Sequence, residues 1–252
     1  MTGRRQSRSA TVDRLLNYLL EGAPRDAVDE VAGDLAERLS ASARFVSFAD
    51  AHRDKIRKKL RGAAESEGRS DVRAELEVAF SLLADRRIEL AFEAYGAGQR
   101  GPDFTVTFRA VHRFNLEVTR PRLDESDRPG RERANGIASA LLGKLRQLPA
   151  DAPNAVLVAV DGRPPIQDEV AAAIGSFRQR ANRRDDIFFS GRGFANARHF
   201  HLQYLRLGAL FVASRRGAGA WAWSNAEARR QLPDGALAAC LGCLVRPAVT
   251  PK

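Results

Sequence analysis

Two carboxylates stand in the stretch GPDFTVTFRAVHRFNLEVTR, residues 101–120: Asp103 near its start and Glu117 near its end. Around them, apolar residues recur at every second position, Phe104, Val106 and Phe108 and then Phe114, Leu116 and Val118. That period predicts two strands joined by a tight turn. Each acid then points away from its own strand's hydrophobic face. A turn centred near Val111 sets Asp103 opposite Thr119 and Thr105 opposite Glu117, which leaves the two acids as diagonal neighbours about 7–8 Å apart. Two convergent carboxylates repel one another unless they share a proton or a cation. Oxygen ligation by one or two carboxylates, with water completing the shell, suits Mg²⁺, or Mn²⁺ in its place. The plainer alternative is a solvated polar face, with Asp103 capping a turn after Pro102.

The elements that would hold this hairpin can be read along the chain. Residues 1–10 are basic and small and predict a disordered arm. Helical periodicity follows over 11–62, with Leu15, Leu16, Leu19 and Leu20 on one face and Val28, Val31, Leu35 and Leu39 on another. A second helical stretch covers 67–86, with Ser70 or Asp71 able to cap it and Leu76, Ala79, Phe80 and Leu83 as its inner stripe. Ile88, Leu90 and Phe92 alternate with polar or small residues and predict a strand before the hairpin. After a polar loop at 121–130, a helix over 131–148 turns Ile137, Leu141, Leu145 and Leu148 inward. The continuous apolar run NAVLVAV, 154–160, predicts a strand covered on both faces. Another helix starts near Ile166, a Gly- and Arg-rich loop covers 190–198, and HLQYLRLGALFVAS predicts a last apolar strand. A meander feeding a crossover helix and a buried strand implies an α/β fold with a mixed sheet between helices. The expected division is an arm at 1–10, a helical extension at 11–66 and an α/β core domain at 67–252.

Helix, strand, Pro102-Asp103 at the head of a second strand, Glu117-Val118-Thr119 at the end of a third, then helix and strand: over residues 71–160 this order resembles the core of the PD-(D/E)XK nuclease superfamily. The resemblance implies a restriction-endonuclease-like mixed β-sheet core flanked by helices, here with an N-terminal helical extension. It implies that Asp103 and Glu117 hold the Mg²⁺ or Mn²⁺, and that Glu75, with Glu77 second, is the helical acid that helps hold it or orients its water. The superfamily's lysine, which aligns water and offsets charge on the phosphate, is missing, because Thr119 stands in its place. Arg120 is adjacent but points to the opposite face of a regular strand. Lys144, seven residues after Ile137, lies at the edge of the inward stripe of its helix. It resembles the arrangement in members that supply the lysine from the following helix, with Gln147 one turn on. The alternative for Lys144 is a surface lysine lying along Leu141. The implied activity is metal-dependent phosphodiester hydrolysis, on DNA before RNA. A catalytically inactive member that binds nucleic acid or serves assembly is the alternative that Thr119 raises.

The chain's charge fits such a partner. Among 252 residues, 41 Lys and Arg against 31 Asp and Glu give a net charge of +10, a field that favours polyanions. The basic run RDKIRKKLR offers Arg53, Lys55, Arg57, Lys58 and Lys59 to backbone phosphates, and Arg183, Arg184, Arg192 and Arg198 form a second group. A solvated helix face and a mobile loop are the plain readings of the two groups. No apolar run is long enough to span a bilayer, and LLNYLL is too short for a signal-peptide core, so the expectation is a cytoplasmic protein without a membrane partner. Two cysteines exclude a disulfide scaffold. Cys240 and Cys243 lack a second pair for zinc and read as buried thiols. His199 and His201 are expected to share one face at the start of a strand. Trp221 and Trp223 fit sheet-edge packing better than base stacking. A homodimer is compatible with the chain, and a protein-interaction domain without nucleic acid is the third functional class it allows.

Overall fold

The structure, a computed structural model, describes residues 2–94, 101–121, 130–215, 217 and 219–245, with side chains from Ala10 onward. The chain divides into two compact units, with the change between Arg86 and Arg87.

The first unit is helical: α1 (Thr2–Leu20), α2 (Arg25–Ala41), α3 (Ala43–Ala51), α4 (Arg53–Gly62) and α5 (Ser66–Leu82). Helical backbone runs from Thr2, where composition predicts a disordered arm. The long periodic stretch over 11–62 is broken three times. Gly22 takes φ +76 after α1. Ser42 ends α2 and caps α3 by accepting from the Phe45 amide at 3.2 Å, and His52 separates α3 from α4. Leu15, Leu19, Val31, Leu35, Leu39, Phe45, Ile56 and Leu60 are buried, the inner stripes of their helices. Helix α5 begins at Ser66, one turn before the expected Ser70 or Asp71 cap. It packs against α2 and α4 and groups with the helices before it, so the expected boundary at 66/67 divides residues that belong to one unit.

The second unit is a mixed sheet flanked by helices. Six strands lie in chain order: β1 (Ile88–Phe92), β2 (Phe104–Phe108), β3 (His112–Thr119), β4 (Asn154–Val160), β5 (Leu207–Ser214) and β6 (Ala220–Ser224). β1, β2 and β3 pair antiparallel; β3, β4 and β5 pair parallel; β6 returns antiparallel to β5. Each parallel step needs a crossover. Helix α6 (Gly130–Leu145) makes the first, and α7 (Gln167–Asn182), α8 (Asp186–Ser190) and α9 (Ala197–Tyr204) make the second. Ile137, Leu141 and Leu145 of α6 join Val156 and Val158 of β4, Leu210 and Val212 of β5 and Phe200 of α9 in one core on one face. Helix α10 (Ala236–Leu244) packs on β5 and β6, and Gly235 before it lies against Phe108 on the other face. Every residue of β4 is buried, as its uninterrupted apolar run requires.

Two local expectations change. The segment predicted as a loop and strand start around 190–201 holds the end of α8 and the start of α9, capped by Asn196, which accepts from the His199 amide at 2.8 Å. His199 and His201 therefore sit two residues apart on a helix, about 200° around its axis, and not on one face. Trp221 and Trp223 lie on β6 and pack on the core, with Trp221 Nε1 donating to the Pro165 carbonyl at 2.8 Å. Cys240 and Cys243 are buried in α10. Among the described residues no helix is long and apolar enough to cross a membrane.

Candidate functional site

The hairpin sets the site. Arg109 and Ala110 both take positive φ, 53° and 63°, in the turn. The pairing they impose runs Phe108↔His112 to Phe104↔Leu116. The turn thus centres on Ala110 and not on Val111. The next step of the same register puts Asp103 directly across from Glu117, where the sequence predicts a diagonal. The local bonds agree. The Asp103 amide donates to Glu117 Oε2 at 3.3 Å, and the Val118 amide donates to Asp103 Oδ2 at 2.8 Å. On its other side the Asp103 carbonyl accepts from the Glu93 amide at 2.8 Å. The aspartate is fixed between β1 and β3 by backbone as well as by its carboxylate.

Glu117 pairs with Val156 of β4, so its side chain lies on the face that α6 covers. It is only 2% exposed. Lys144, in the last turn of α6, reaches it from above: Nζ stands 2.6 Å from Oε1. Lys144 keeps about a quarter of its side chain in contact with solvent, 26%. Burial pushes the Glu117 carboxyl up to about 7, and the negative charge of Asp103 adds to the rise; the Lys144 ammonium opposes both. Thr119, two residues on and on the same face by alternation, pairs with Val158. Arg120 is directed to Asp161 at 4.0 Å, and Arg215 reaches that same aspartate at 3.2 Å.

The structure brings Asp103, Glu117 and Lys144 together. Glu75 is placed in α5 of the helical unit, where it is buried and accepts from Lys59 Nζ at 2.6 Å. Among the described residues no group of three or more His, Cys, Asp or Glu side chains could hold a metal ion. Two carboxylates do converge, and that donor set fits Mg²⁺, which keeps several waters and takes one or two carboxylates.

The basic groups divide in their commitments. On α4, Arg57 pairs with Glu21 at 2.6 Å and lies 4.4 Å from the Tyr18 ring centroid, Arg53 pairs with Asp50 at 3.4 Å, and Lys59 holds Glu75. Lys55 and Lys58 are exposed. This helix spends much of its charge on its own unit's acids. Arg183, Arg184, Arg192 and Arg198 are all exposed.

Comparison with family models, with curated proteins and with solved structures finds no match to this chain.

Sequence reasoning missed two contributors. Buried Asn154 at the head of β4 donates through Nδ2 to the carbonyls of Pro149, Ala152 and Arg206, at 2.8, 2.9 and 3.1 Å, and accepts from Asn115 at 3.0 Å. It holds the turn between α6 and β4, and so the end of α6 that carries Lys144. Its signal was a polar residue opening an otherwise apolar run. The other is the Val118 amide, a backbone group that has no sequence signal.

Proposed function

We propose that this protein hydrolyses phosphodiester bonds of nucleic acid, DNA first, with Mg²⁺ or Mn²⁺ held by Asp103 and Glu117. The observation that carries this reading is the convergence of three groups on the α6 face of the sheet: two opposed carboxylates, one of them buried, and Lys144 Nζ 2.6 Å from the buried one. Helix α6 thereby brings a cation to the acid pair, which Thr119 cannot do. From β1 to β4 the order of three strands, a helix and a strand matches the superfamily order and supports a restriction-endonuclease-like fold, while the helix that opens that order, α5, groups with the helical unit.

The residues divide the work. Asp103 and Glu117 would hold the metal, which when bound lowers the pKa of its water and offsets charge on the scissile phosphate. The Lys144 ammonium, partly open to solvent, balances Glu117 and would offset charge on a bound phosphate. Glu75 is kept as the helical acid only by the resemblance. The net charge of +10 draws a polyanion toward the protein.

A second reading keeps the fold and drops the chemistry: a nucleic-acid-binding or assembly module. It is favoured by the way the site groups satisfy one another, Lys144 on Glu117 and Asp103 on the Val118 amide. A cleavage assay separates the two. Single- and double-stranded DNA and RNA are incubated with protein in Mg²⁺, Mn²⁺ or EDTA, beside Glu117→Ala and Lys144→Ala. Hydrolysis should need the metal and fall by ~10²-fold or more in either variant. Salt-sensitive binding without any cutting by the wild type would move the assignment to the inactive module.

A further inference from the structure

The corner formed by the end of α7, α8 and the turn after it carries more than scattered charge. Five arginines fall in residues 178–192, Arg178, Arg180, Arg183, Arg184 and Arg192, against Asp185 and Asp186. Both acids are already engaged: Asp185 takes Arg180 at 2.7 Å and caps α8 at the Phe188 amide, and Asp186 accepts from the Ala197 amide at 2.8 Å. Arg183 and Arg184 project into solvent and form no ion pair among the described residues. Two other guanidinium groups are laid on an aromatic ring. Arg180 Cζ is 4.4 Å and Arg192 Cζ 3.7 Å from the centroid of Phe188, and Arg192 is further tied to the Phe188 carbonyl at 3.2 Å. Beside them Ile187 is 88% exposed, the most exposed large hydrophobic residue described.

A guanidinium packed over a ring has lost part of its hydration and much of its rotamer freedom, and it remains a planar cation. Such a cation stacks on a nucleobase. An exposed isoleucine gains nothing from a phosphate, but it gains from the face of a base. A duplex shows its phosphates and hides its base faces, whereas a single strand offers both. We infer that the α7–α8 corner is a platform for single-stranded nucleic acid, with Arg180, Arg192 and Ile187 receiving bases and Arg183 and Arg184 receiving the flanking phosphates. This rests on the nucleic-acid reading above and narrows its substrate to unpaired strands.

The test is binding in EDTA, where no cutting intervenes. Fluorescence anisotropy is measured with labelled oligothymidylate, oligouridylate and a DNA duplex of the same length, across a range of salt. Single strands should bind about tenfold or more tighter than duplex. Ile187→Ser and Arg192→Lys, the second of which keeps the charge and loses the plane, should each weaken single-strand binding by about fivefold or more and leave duplex binding unchanged. Arg183→Gln should lower the salt slope for single strands by about 0.7. Thermal melting of each variant shows that the fold is intact. Equal or tighter duplex binding overturns the inference, as does single-strand affinity unchanged in both Ile187→Ser and Arg192→Lys. Single-strand preference without cleavage overturns the hydrolytic reading alone, and cleavage with duplex preference overturns the platform alone.

Discussion

Lys144 reaches Glu117 from a different element, the helix that follows the strand, and places its ammonium 2.6 Å from a carboxylate buried beneath that helix. Next to Glu117 on that face strand β3 ends in the uncharged Thr119, and Arg120 beyond it turns to Asp161. The position of the charge should then matter more than the element that supplies it. Lys144→Ala should lower metal-dependent cleavage by ~10²-fold, and adding Thr119→Lys to it should recover at least about tenfold. Steady-state cleavage of a labelled strand measures both. No recovery, with both proteins folded and still binding metal, would show that Lys144 acts from the helix in a way that strand position 119 cannot copy.

Stability should carry the mark of the raised Glu117 pKa. The folded carboxyl titrates near 7 and the unfolded one near 4.5, so between those values the native state holds a proton that the unfolded chain has released. The contribution of Glu117 therefore falls as pH rises across that window and stays lost above it. Glu117→Gln removes the titration. In urea unfolding with EDTA present, the variant should gain on the wild type from pH 5 to pH 8, by on the order of 2 kcal/mol. A constant difference across that range would refute it.

Protons and a divalent cation should compete for the same carboxylate. Mg²⁺ or Mn²⁺ should raise the wild-type melting temperature more at pH 8 than at pH 6, because at the lower pH Glu117 is mostly protonated. Glu117→Gln should flatten that pH dependence. Calorimetric titration of Mn²⁺ at the two pH values is the direct check, and equal affinity at both would remove Glu117 from the binding group.

Asn154 should behave as a support for the site. Asn154→Ala strands three carbonyls and the Asn115 amide, at a cost of about 1–3 kcal/mol in chemical unfolding. Because two of those carbonyls, Pro149 and Ala152, belong to the turn that follows α6, cleavage should fall further than the stability loss explains at temperatures where the variant is fully folded. Unaltered cleavage there would confine Asn154 to a purely structural role.

The parts of this site that follow a period were legible in the sequence. Alternation in 104–108 and 114–118 gave the hairpin and the common face of Asp103 and Glu117, and the stripe through Ile137, Leu141 and Leu145 put Lys144 at the edge of the buried side. The register was not legible. It depends on which residues accept positive φ, and Arg109 and Ala110 are not the Asn or Gly that usually announce such a turn. The grouping of α5 with the helices before it was hidden for a related reason: an amphipathic stripe says that a face is buried and not against what. The two-residue spacing of His199 and His201 suits a strand, but the cap at Asn196 starts a helix there, a choice made by a side-chain hydrogen bond that periodicity does not register.

The turn at Arg109 and Ala110 fixes Asp103 across from Glu117, so its length cannot drift in the way surface loops usually do. One residue gained or lost there would slip β2 against β3 by one position and send one acid to the opposite side of the sheet. Natural variants that keep the acid pair should therefore vary in the composition of this turn and not in its size, and insertions should collect elsewhere. A hairpin tip remote from any chemistry would be among the least length-tolerant points of the chain.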